Sequence, residues 1–233
     1  MKTESQESIS GANMARRSFL RYAGVGVASV GLLAAASCTK DHPVIVNPTK
    51  GIDIGATGDL AILNYAYALE QLEAAFYTQV VLTPYSGITD NEKTLLTSIR
   101  DHEILHREFF KAALGANAIP ALTVDFSSIN FTNRAATLGA AKAFEDTGVK
   151  AYDGAGYLIG GGAYLTLAGK IVSVEARHAA LISNLITPGS FAASDQVDAN
   201  GLNLSASIAD VLKIANTYLK TKVSASNYSY VAA

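Results

Sequence analysis

Apolar residues recur at helical spacing from Asp59 to about Val81, with no internal Pro or Gly, and this predicts a first long helix. Thr89-Asp90-Asn91-Glu92 then reads as a capping box, opening a second helix that runs to about Leu114. From Gly115 to Thr132 the pattern changes: Pro120 and the alternating Leu122, Val124 and Phe126 predict an extended, irregular crossover. A third helix is expected from about Asn133 to Leu158. Gly160-Gly161-Gly162 breaks it before a fourth, Ala163 to about Ile186, which Pro188-Gly189 stops. After a polar loop, Ser205 to about Val223 reads as a fifth, amphipathic helix. Two helix pairs joined by one long crossover predict an all-α four-helix bundle over 58–190, with a C-terminal loop and helix over 191–233.

Within each helix one face forms a continuous inward seam. In the fourth helix the seam is Tyr164, Ala168, Ile171, Glu175, His178, Ile182 and Leu185, in steps of four and three. The second helix gives Ile99, Glu103, His106, Phe110 and Ala113. The first gives Leu63, Ala66, Glu70, Glu73, Tyr77 and Val80, and the third Leu138, Glu145, Val149, Tyr152 and Gly156. All four seams therefore place an acid among core positions. A lone carboxylate in such a core must be protonated, paired or bound to a cation.

The acids also follow a doubled pattern. Glu103 and His106, like Glu175 and His178, are three residues apart, about 60° round a helix, so each pair can serve one site. Each follows a lone acid, Glu70 by 33 residues and Glu145 by 30, and that match suggests a duplicated helix pair. Two single Glu and two Glu-x-x-His steps are the ligand set of a two-metal carboxylate bundle. Tyr77 and Tyr152 each stand seven residues after a lone Glu, about 20° round the helix. They are available to hydrogen-bond the ligands, or simply to pack in the core. Glu73 also faces inward, but the matching position in the second half is Gly148, so Glu70 is the favoured ligand and Glu73 a spare or supporting carboxylate. His102 points about 100° from Glu103 and is expected in solvent.

The chain of 233 residues is 49% hydrophobic, enough for one sizeable core. A net charge of −2 with scattered signs gives no footprint for nucleic acid. The basic residues that do cluster lie near the start: Ala15-Arg16-Arg17-Ser18-Phe19-Leu20-Arg21-Tyr22 precedes a mild apolar run, Ala23 to Ala36. A twin arginine before such a run reads as an export address, too short and weakly apolar to span a membrane stably. Ala35-Ala36-Ser37-Cys38 resembles a lipoprotein cleavage box. It suggests a leader over 1–38 lipidated at Cys38, with ordinary cleavage as the alternative. The sole cysteine cannot form an intramolecular disulfide. Pro43, Pro48, Gly51 and Gly55 make 39–57 read as a tether. The expected location is the periplasm or cell envelope, the membrane being touched only through a lipid on Cys38.

The first-helix stretch Ile62-Leu63-Asn64-Tyr65-Ala66-Tyr67-Ala68-Leu69-Glu70-Gln71-Leu72-Glu73-Ala74-Ala75-Phe76-Tyr77, followed by Asp101-His102-Glu103-Ile104-Leu105-His106, resembles the ferritin-like family that includes desiccation-related proteins. The resemblance covers roughly 58–190. It implies a ferritin-like bundle with two Fe or two Mn ions held by Glu70, Glu103, His106, Glu145, Glu175 and His178. Mixed carboxylate and imidazole ligands suit Fe or Mn, so dioxygen or peroxide is the expected small-molecule substrate, in ferroxidase-, peroxidase- or catalase-like chemistry that would protect against oxidative or desiccation stress. The alternative is a non-catalytic envelope scaffold that keeps the bundle with a structural metal or none. The sequence leaves the oligomeric state open, a homo-oligomer included.

Overall fold

The computed structural model describes residues 46–47 and 51–232; the leader expected over 1–38, with Cys38, lies outside the described residues. Among the described residues there are five α-helices: α1 Asp59–Leu82, α2 Asp90–Leu114, α3 Arg134–Ala155, α4 Gly162–Ile186 and α5 Ile208–Ala215. The first four form the bundle, α1 packing chiefly on α2 and α3 on α4, with α1 also against α3. Among the described residues no helix is long and apolar enough to cross a membrane.

Helix α1 is the central element, buried on nearly every face from Ala61 to Phe76. Its polar side chains therefore need partners. The Asn64 carbonyl oxygen accepts from the Ile119 N–H at 2.9 Å, and that of Gln71 accepts from Leu122 at 2.8 Å, which fastens the crossover along the bundle. Thr89 and Glu92 form the expected capping box at the start of α2. Glu92 is also paired with Arg134 at 2.6 Å, and Arg134 donates to the Leu185 carbonyl at 2.8 Å. One ion pair thus joins the starts of α2 and α3 to the end of α4. At the other end of the bundle Asp59 accepts from the Gly160 and Gly161 N–H groups at 2.8 and 3.1 Å, holding the start of α1 to the turn before α4.

Two expectations about the flanks change. The segment 39–57 is not a free tether throughout: Gly51–Asp53 forms a strand, β2, pairing antiparallel with β1 (Val46–Asn47) and parallel with β3 (Val223–Ser224). Ile52 and Ile54 are buried, each contributing about 1.5–3 kcal/mol. The proline and glycine content masked this short alternation. The fifth helix is shorter than 205–223, because Asn216 turns the chain back: its side chain accepts from the Val223 N–H at 2.7 Å and donates to the Val223 carbonyl at 2.8 Å. Lys222 donates to the Asn216 and Leu219 carbonyls, occupying acceptors that a longer helix would use internally. The end of α3 also differs: its last turn, Gly156–Leu158, tightens to a 3-10 helix. Gly154 faces the incoming C-terminal segment, and a Cβ there would run into the Ala206 carbonyl, whose own N–H donates to Lys150 at 3.0 Å.

Candidate metal centre

The seams bring Glu70, Glu103, His106, Glu145, Glu175 and His178 together at mid-bundle, all buried. They form two groups. Glu70, Glu103, His106 and Glu175 make one, and Glu103, Glu145, Glu175 and His178 the other, the ligand atoms in each lying within 4.8 Å of one another.

Glu103 and Glu175 belong to both groups and span them with different oxygens. Glu175 presents Oε1 to His106 Nδ1 at 2.7 Å and Oε2 to His178 Nδ1 at 3.7 Å. Glu103 presents Oε1 to His178 at 2.8 Å and Oε2 to His106 at 3.7 Å. The lone acids complete the groups, Glu70 Oε2 at 3.5 Å from His106 and Glu145 Oε2 at 3.6 Å from His178. The halves agree to 0.1 Å in all three distances, as a duplicated helix pair would.

The tyrosines hold the outer oxygens, each reaching across to the other half. Tyr77 donates to Glu145 Oε1 and Tyr152 to Glu70 Oε1, both at 2.5 Å. What remains is a defined set of buried atoms that face only one another: Glu70 Oε2, both oxygens of Glu103 and of Glu175, Glu145 Oε2, and Nδ1 of His106 and His178. Four carboxylates and two imidazoles held this close need positive charge among them, from imidazolium or from a cation. These eight atoms are the ones that a cation in each group would engage. The residues therefore fit a buried metal centre, with two carboxylates shaped to bridge.

The electrostatics agree. Burial, and then the Glu175 charge, push the Glu103 carboxyl up. Burial and Glu175 also raise Glu145, against the opposing pull of His178. Burial would raise Glu175 too, but the two imidazoles flank it and hold it well below the usual carboxylate range. His106 and His178 go up despite burial because the carboxylates surround them. Divalent cations supply the same positive charge without occupying Nδ1 by a proton. Four carboxylates against two such charges would be neutral, with both histidines uncharged.

Glu73 is buried beside the centre but belongs to neither group. Burial and the neighbouring carboxylates raise its pKa well above the usual carboxylate value. Gly148 makes room for it, since a Cβ there would stand 2.9 Å from Glu73 Oε1. The missing acid in the second half is thus replaced by space for the first half's extra acid.

His102 corrects an expectation. It lies at the surface, yet its Nδ1 is 2.9 Å from His178 Nε2 and the two rings stack with centroids 5.1 Å apart. A residue one position before Glu103 leans over the ligand on the facing helix, which the angular argument on a single helix could not register. The corresponding position in the second half is Val174, so this support exists on one side only. Arg177, Asp101 and Glu108 are exposed, the last two paired with neighbouring arginines at 2.7 Å.

Residues 58–188, more than half of the chain, match the ferritin-like domain family. The chain belongs to that family. Its bundle, crossover and inward carboxylates are thus those of a ferritin-like domain, followed by a C-terminal segment that packs back on the strand preceding α1. No curated protein matches the chain.

Proposed function

We propose that this ferritin-like protein holds two Fe or two Mn ions and uses them in redox chemistry with dioxygen or peroxide. The observation that carries the reading is the set of eight buried ligand atoms that face only one another, divided into two groups that share Glu103 and Glu175. When bound, such ions supply one electron each and leave coordination positions for an oxygen species, and mixed carboxylate and imidazole donors suit Fe and Mn.

The chain's residues do the rest. His106 and His178 offer Nδ1, and His102 fixes the His178 ring through Nε2. Tyr77 and Tyr152 orient Glu145 and Glu70 so that one oxygen of each is left for metal. Glu73 stands buried beside the centre and belongs to neither ligand group. The apolar layers above and below exclude bulk water, which strengthens every charge interaction inside.

The leader supports placing the protein in the periplasm or cell envelope, exported through the Arg16-Arg17 signal and tethered by lipid at Cys38. Protection against oxidative or drying damage would follow from that redox chemistry. Loading purified protein anaerobically with Fe or Mn and counting bound metal tests the central reading. Two ions per chain, and loss of peroxide or oxygen turnover in His106→Ala and His178→Ala, are expected. Fewer than one ion per chain with an unchanged melting temperature refutes it and leaves a non-catalytic scaffold.

A further inference from the structure

The bundle's two ends differ where a duplicated fold would make them alike. Ligand positions repeat with an offset of 75 residues between α1 and α3 (Glu70 to Glu145) and of 72 between α2 and α4 (Glu103 to Glu175). At one end Phe76, Val80 and Leu96 fill the core. By those offsets their equivalents at the other end are Ala151, Ala155 and Ala168. Leu185, packed on the core at the filled end, has Ala113 as its equivalent. The substitutions leave space: all four alanines line an apolar chamber that encloses about 540 Å³ counting its open mouth.

The chamber abuts the metal centre. Tyr152 is in its wall and donates to Glu70; Leu69 precedes Glu70; Ile171 lies one turn before Glu175, and Phe110 one turn after His106. Within it the centre of a water-sized molecule can move through about 30 Å³. A water needs roughly 10–15 Å³ by the same measure, so the space suits a guest of two or three heavy atoms and is too small for an aromatic ring. Apolar walls keep such a space dry and disfavour charged or strongly hydrogen-bonding guests. Tyr65 is also in the wall, and its buried hydroxyl has no hydrogen-bond partner. Burial keeps that phenol neutral, a donor left for a guest atom.

We propose that this chamber is a binding site for dioxygen and so makes dioxygen, rather than peroxide, the oxidant that reaches the metal centre from this end of the bundle. Hydrogen peroxide would lose several hydrogen bonds to water on entering and recover at most one, from Tyr65, whereas dioxygen has almost none to lose. The oxidant role rests on the di-metal reading. In ferrous-loaded protein dioxygen takes one electron from each of two ferrous ions and two protons from solvent, and leaves as hydrogen peroxide.

The test restores the filled end's side chain in the open one with Ala168→Leu, or with the milder Ala155→Val should the first fail to fold. Crystals of metal-free protein under xenon pressure report the chamber directly. Xenon between Tyr65, Ala155 and Ala168 in the wild type and its loss in the variant are expected. Stopped-flow oxidation of bound ferrous iron then gives the ratio of the dioxygen to the peroxide rate, which should fall by about tenfold or more in the variant. Absence of xenon from the wild-type chamber, or a ratio unchanged within about twofold in a variant that excludes xenon, overturns the proposal. Wild-type protein that takes up xenon but oxidises no iron overturns the di-metal reading and the oxidant role with it. Absent xenon beside normal iron oxidation overturns the chamber alone.

Discussion

Replacing Glu103 by Gln removes a charge that the fold tolerates only with metal, so its effect on stability should reverse sign on loading. The unfolded carboxyl ionises near 4.5, whereas in the metal-free fold burial and the Glu175 charge push it up to about 8. Between those values the folded chain retains a proton that the unfolded chain has released. Stability of the metal-free protein therefore falls as pH rises from 4.5 to 8, and the full penalty is present above 8. The difference amounts to about 3 kcal/mol at pH 7 and under about 1 kcal/mol at pH 5. Gln keeps the shape and has no such titration. In chelator-treated protein at pH 7 the variant should melt about 6–12 °C above wild type, and the gain should shrink to a few degrees at pH 5. With Fe or Mn present the order should invert, because Gln cannot bridge as a carboxylate does. Scanning calorimetry with and without metal, at both pH values, makes the comparison. A variant less stable than wild type by the same amount in all four conditions would refute the reasoning.

Tyr152→Phe strips Glu70 Oε1 of its buried donor and should weaken metal binding about 10–100-fold, seen by competition titration against a chelator, with Tyr77→Phe doing the same through Glu145. His102→Ala should loosen binding at the group containing His178 while leaving the one containing His106 unchanged, so a two-step titration should separate further in the variant. Gly154→Ala drives a methyl group into the Ala206 carbonyl and should cost about 3 kcal/mol or more by calorimetry; hydrogen exchange should show the loss centred on 205–224.

Much of this architecture was legible because it is written in helical periodicity. The seams in α1 to α4, the Thr89 capping box and the crossover after Leu114 depend on local spacing, and each appears where the spacing predicts. The six candidate ligands could be named for the same reason: an acid repeated in an apolar seam has few explanations, and the seams do converge. What escaped the sequence depends on contacts between distant segments. Pairing of β2 with β3 joins residues 171 apart in the chain, and the Asn216 turn replaces helical bonds by side-chain bonds that no periodicity encodes. The reach of Tyr77 to Glu145, and of Tyr152 to Glu70, crosses between halves, whereas spacing along one helix relates each tyrosine to its own lone Glu. The angle of His102 on α2 points it to solvent, and only the facing α4 shows that it touches His178.

Whether two cations sit between these carboxylates is read from anomalous diffraction at the Fe and Mn edges from crystals of metal-loaded protein. Two anomalous peaks are expected in the bundle, one among Glu70, Glu103, His106 and Glu175 and the other among Glu103, Glu145, Glu175 and His178. A loaded crystal with no peak within the bundle, or with its peaks only at surface carboxylates, would contradict the di-metal reading.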